Sequence, residues 1–204
     1  EAHFLNYYPE EIVAHGDVTF DTIAAEDVWQ EANMLFYGAV DIDLPPGEVT
    51  SSPWTFLPVA EGIHVFGLTG HTHQHGINVE VEYATEEGGD ATPIYPLDQT
   101  FEWDESPVVK YEPPIVFGEK DGVNMRCTWD NTSGENVGFG ESANEEMCFF
   151  WAYYYPSAGY RICVELGSVL EDLGDVASLL GSSKVCCPGD FICDLLPGLA
   201  EEYL

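Results

Sequence analysis

From Met34 onward the apolar positions of this chain fall into short runs, several of them alternating with polar residues. The runs are MLFYGAVDIDL, WTFLPV, GIHVFGLTGHTHQHGINVEVEYA, PIYPL, TFEWD, PPIVFG, VNMRCTWD and EEMCFFWAYYYP. They are rich in β-branched and aromatic residues, and clusters such as Pro45-Pro46-Gly47 and Glu86 to Asp90 punctuate them. Many short strands with such turns predict an all-β fold, an antiparallel jelly-roll β-sandwich with an apolar core between its sheets. Ahead of it, AHFLNYY and IVAHGDVTFDTI flank Pro9, and their partial alternation suggests strands in residues 1–26. Beyond residue 165 the pattern changes: Leu and Val recur at roughly helical spacing, broken by Gly and Pro, among three cysteines. The organisation predicted is a segment 1–26, a sandwich domain 27–165, and a partly helical, disulfide-tethered appendage 166–204.

Charge narrows the partners. The chain carries 37 acidic against 5 basic residues, a formal net charge of -32, which repels nucleic acid and anionic membrane surfaces. At 13% aromatic residues, with the acids scattered among apolar runs, the composition is that of a folded domain with an acidic surface. No apolar run is long enough for a membrane span. The six cysteines, Cys127, Cys148, Cys163, Cys186, Cys187 and Cys193, include no CxxC pair. An even count without zinc-type spacing predicts disulfides and a secreted, extracellular or periplasmic setting. Cys163 has Cys186, Cys187 and Cys193 as alternative partners. Asn131-Thr132-Ser133 reads as a glycosylation sequon.

Candidate chemistry lies in GHTHQHG, where His71, His73 and His75 occupy alternate positions. On a strand such residues share one face, and two imidazoles at i and i+2 can reach one ion. An HxH triplet alone is common in decorated surface strands. Its setting adds weight: His64 stands seven residues earlier, Gly70 and Gly76 bracket the triplet, and Met147 follows in EEMCFFW. Two imidazoles with a thioether suit copper, Cu(I) above all, over zinc or a hard cation. Glu145 and Glu146 are candidates for orienting the ligands, although paired acids in a turn are commonly solvated.

The ordered runs HVFGLTGHTHQHG and MRCTWDNTSGENVGFGESANEEMCFFWAYYYP resemble the C-terminal catalytic domain of the copper type II, ascorbate-dependent monooxygenases, over about residues 27–160. That is the family of peptidylglycine alpha-hydroxylating and dopamine beta-monooxygenases. The resemblance implies that His71, His73 and Met147 ligate the oxygen-binding copper, with His64 behind them, and that Cys127 and Cys148 form a disulfide anchoring the strand of Met147. It implies hydroxylation of a C–H bond of a small organic substrate by oxygen, with ascorbate and a second copper supplying electrons. EAHFLNYYPEEI resembles the end of the family's first domain, which would make His3 a ligand of that second copper. The adjacent His-His pair completing such a site does not occur in this sequence, so the domain is expected to act with a missing N-terminal domain or with other chains.

The substrate positions also depart from the family. Where the peptide-amidating branch grips a carboxylate with an arginine, an asparagine and a tyrosine, this chain has Thr69, Phe149 and Trp151. Apolar walls without a guanidinium favour a neutral or aromatic substrate. The alternative function is a non-catalytic secreted copper-binding module, or a structural and interaction domain whose site is idle.

Overall fold

In a computed structural model, residues 6, 8–166 and the backbone of residues 184–187 are described. The chain divides into two compact units, Glu1–Gln30 and Glu31–Leu204. In the first, the described residues form one 3-10 turn, Ala25–Asp27, and no strand. The strand expected in IVAHGDVTFDTI does not form, and AHFLNYY lies almost wholly outside the described residues. Val13, Val18, Phe20 and Trp29 are each more than three-quarters exposed, and a lone two-stranded ribbon without a sheet to cover is marginal in water.

In the second unit, thirteen strands are described. They are β1 (Asn33–Ala39), β2 (Asp43–Leu44), β3 (Val49–Ser51), β4 (Thr55–Pro58), β5 (His64–His71), β6 (Gly76–Ala84) and β7 (Ala91–Tyr95). After them come β8 (Val108–Val116), β9 (Gly122–Asp130), β10 (Val137–Gly138), β11 (Phe149–Tyr155), β12 (Arg161–Glu165) and β13 (Lys184–Cys187). One sheet has the order β13-β12-β1-β11-β5-β8; the other runs β3-β9-β6-β7, with β4 also pairing with β9. β2 and β10 form a separate ribbon. Pairing is antiparallel except between β12 and β1, which run parallel from Leu35 opposite Arg161 to Ala39 opposite Glu165.

The two sheets close over one core. Tyr37, Leu68, Val109, Phe150 and Ala152 come from the first, and Val79, Val81, Tyr95, Met125 and Trp129 from the second. Alternation drives this arrangement: on β9, Val123, Met125, Cys127 and Trp129 are buried while Asn124, Arg126 and Thr128 are half-buried on the other face. A disulfide from Cys127 on β9 to Cys148, just before β11, ties the sheets together. The outer face of the six-stranded sheet carries a second, smaller cluster around Val40, Phe149 and Val164, with Phe36, Ile162 and Met147 against it.

TFEWD forms no strand, although Phe101 is buried. Within the segment read as short helices, Lys184–Cys187 is a strand pairing with β12, and the rest of that segment lies outside the described residues. The backbone of Cys186 stands opposite Cys163, and Cys163 is disulfide-bonded. The sequon is closed to a glycan in the folded chain. Asn131 is fully buried, and its Nδ2 donates to the carbonyls of Leu44, Pro45 and Glu135.

Candidate metal centre

The histidine triplet does not lie on one strand. β5 ends at His71, β6 begins at Gly76, and the intervening turn carries the chain from one sheet to the other. Gly76 N–H donates to the His73 carbonyl at 3.0 Å to close that turn. Both bracketing glycines are needed for close approach. A Cβ on Gly70 would meet the Tyr95 ring and Val79 at 2.8 Å, and one on Gly76 would collide with Thr72. The turn nonetheless brings the first two imidazoles together: the rings of His71 and His73 lie 5.3 Å apart, nearly perpendicular at 86°. Two imidazoles bound at about 2 Å to one ion, with a near-tetrahedral angle, have ring centres roughly 5 Å apart. The spacing fits a shared ion.

Two consecutive residues, Glu145 and Glu146, meet this turn from the other side. The backbone carbonyl of Glu145 accepts a hydrogen bond from His73 Nδ1 at 2.9 Å. A carbonyl can only accept, so the proton of the neutral ring sits on Nδ1 and the lone pair on Nε2, which is buried. Glu146 is completely buried. Its Oε1 accepts the N–H of His75 at 2.7 Å; its Oε2 accepts the N–H of His73 at 2.9 Å and the indole N–H of Trp129 at 3.0 Å. Burial pushes this carboxyl above the usual range, and the hydrogen bonds from His75 and His73 pull it back. Main-chain bonds from Glu146 N–H to Gly138 and from Gly140 N–H to Glu146 fix its own backbone.

Met147 is half-buried against the outer cluster. His71 stands opposite Phe149 in the β5–β11 register, and Met147 lies two residues before Phe149 along the chain. Among the described residues, no group of three or more His, Cys, Asp or Glu side chains could hold a metal ion. A three-donor site built on His71 and His73 therefore needs a donor of another kind.

The other expected residues separate. Thr69 and Trp151 stand opposite each other, and the Trp151 ring lies 5.2 Å from that of His71 in an edge contact; both are half-buried beside the pair. Phe149, expected as a pocket wall, is 1% exposed. It stacks on Phe36 at 4.3 Å and fills the space that a side chain at Gly38 would take, so it supports the sheet and faces no open pocket. His64 is not behind the pair. It begins the strand that His71 ends, about 23 Å away at the rise of an extended chain, and stacks on Tyr155 at 4.7 Å. His75 contributes its backbone, while its side chain is buried. His3 lies outside the described residues.

Glu146 is the residue that the sequence leaves ambiguous. The signal was present: positions 148, 150, 152 and 154 are the buried series of β11, and stepping back by two puts Glu146 on the same inward side.

Comparison with known proteins identifies the family of this chain. The profile for the copper type II ascorbate-dependent monooxygenase C-terminal domain matches residues 53–171, which include both histidines and Met147. DBH-like monooxygenase protein 1 of Homo sapiens is 26% identical over 113 residues, covering 55% of this chain and 18% of the human protein. The chain thus spans less than a fifth of that relative. Taken with the match over more than half of its length, the chain belongs to the copper type II ascorbate-dependent monooxygenase C-terminal domain family.

Proposed function

We propose that this domain binds one copper ion through His71, His73 and Met147 and forms the oxygen-activating half of a monooxygenase that hydroxylates a C–H bond of a small organic substrate. The observation that carries the reading is the bond from His73 Nδ1 to the Glu145 carbonyl, which directs the Nε2 lone pair away from the backbone while the His71 ring stands 5.3 Å away. A soft thioether with two neutral imidazoles favours Cu(I). When bound, the copper supplies oxygen activation, and ascorbate with a second copper held elsewhere supplies the electrons.

The chain's own residues do the positioning. Glu146 holds the His73 and His75 backbone in place, and the Cys127–Cys148 disulfide anchors the residue after Met147 to the opposite sheet. Thr69 stands where the amidating branch has its arginine, so no guanidinium receives a carboxylate there, and Trp151 offers an aromatic wall. A neutral or aromatic substrate, or an amine drawn by the acidic surface, suits that setting. The disulfides fit a secreted or otherwise oxidising location.

X-ray absorption on the copper-loaded, ascorbate-reduced chain tests this. One copper per chain, with a sulfur scatterer that disappears in Met147→Ala, is the expected result; substoichiometric copper, or a spectrum indifferent to Met147, refutes it. The edge contact of Trp151 on His71 favours a second reading, a copper-binding module closed to substrate. Ascorbate-dependent oxygen consumption by the chain joined to its second-copper partner separates the two.

A further inference from the structure

At the far end of the sandwich from His71 lies a cavity of about 250 Å³. Its apolar lining includes Leu35, Leu57, Val65 and Ala152, drawn from β1, β4, β5 and β11, and among the described residues the one charged side chain in the lining is Arg161. Val65 and His71 are six residues apart on β5, about 20 Å at the strand rise, so the cavity is separate from the candidate metal centre.

Arg161 is unusual in two respects. On β12 the outward positions are Ile162 and Val164, which join the outer cluster, whereas Cys163 belongs to the core between the sheets. Period-two alternation therefore gives Arg161 the same inward direction as Cys163, at the mouth of the inter-sheet space. Second, a chain with 37 acids gives this half-buried guanidinium no ion pair or hydrogen bond among the described residues. Arg126, by contrast, pairs with Glu80 at 2.7 Å. A partly desolvated cation against apolar walls is costly unless something pairs with it.

We infer that this cavity binds a monocarboxylate with an unbranched aliphatic tail, the tail between the sheets and the carboxylate on Arg161. The planar fork of a guanidinium matches a carboxylate with two parallel hydrogen bonds. The volume holds about eight water-sized units at roughly 30 Å³ each, the size of a medium-chain fatty acid and too small for a two-chain lipid. The inference does not depend on copper.

Titration calorimetry of the 204-residue chain with octanoate below its micellar concentration, beside octanol and acetate, tests it. Saturable octanoate binding, no competition from acetate, and at least tenfold weaker octanoate binding in Arg161→Gln with octanol binding unchanged are expected. Ala158→Leu, an exposed residue of the lining, narrows the cavity and should weaken octanoate and octanol together. Met147→Ala should leave octanoate affinity as it is. Absence of binding, equal affinity of wild type and Arg161→Gln, or loss of octanoate binding in Met147→Ala overturns the proposal. Unchanged melting midpoints of the variants show that a lost affinity is not lost folding.

Discussion

The carboxylate of Glu146 accepts the backbone N–H of His75 at 2.7 Å, joining positions 71 residues apart. The same side chain serves His73 and Trp129. An amide in its place turns one acceptor into a donor facing an N–H. Glu146→Gln is expected to destabilise the domain by about 1–3 kcal/mol, the cost of leaving a buried donor unsatisfied, and to weaken Cu(I) binding. Urea unfolding of the metal-free chain and competition with a Cu(I) chelator measure the two effects separately.

His73 and His75 should differ sharply on truncation. His73 contributes its ring through Nδ1, whereas the contact of His75 with Glu146 is made by the backbone, which alanine retains. His73→Ala is expected to abolish stoichiometric copper, and His75→Ala to keep it. Elemental analysis after dialysis reads the outcome; equal loss in both would place the His75 ring in the ligand set.

Gly70→Ala tests how closely the sheets must approach beside His71. The added methyl would press on the Tyr95 ring and Val79 at 2.8 Å, and Tyr95 is held by its hydroxyl on the Pro107 carbonyl. Overpacking of this kind costs about 1–3 kcal/mol, so a lowered denaturation midpoint is expected, with far-ultraviolet dichroism unchanged.

Acid should act at the turn between β8 and β9. Asp121 accepts hydrogen bonds from the Tyr83 hydroxyl and from Gly118 N–H, which hold its carboxyl below the ordinary value of 3.8. A lowered folded-state value means that its contribution is present above the unfolded value and is lost as pH falls through the folded one. Wild type should therefore lose more stability than Asp121→Asn as pH drops below about 4; parallel unfolding curves from pH 6 to pH 3 would show otherwise.

Much of this was legible in the sequence, because a period of two is a local property. The runs at residues 62–84, 123–130 and 145–156 correspond to β5, β6, β9 and β11, and the cysteine pair implied by the family resemblance is the disulfide between the sheets. What alternation cannot reveal is where a strand stops. His71 and His73 have strand spacing yet meet across a turn, since Gly76 closes it on the His73 carbonyl. Spacing also conceals distance: His64 and His71 are near in sequence and sit at opposite ends of one strand. Glu146 and Asn131, both acceptable surface residues by type, are buried because backbone groups from distant segments converge on them. Only the tertiary fold brings those donors and acceptors together.

The bond between Cys127 and Cys148 has a consequence for timing. Cys148 directly follows Met147, so the thioether is moored to the opposite sheet only once two thiols have lost their protons and electrons. A newly made chain in a reducing environment offers its imidazoles without that mooring. On the copper reading, metal capture then follows oxidative maturation, and the domain gains its third ligand in the same compartment that makes its disulfides.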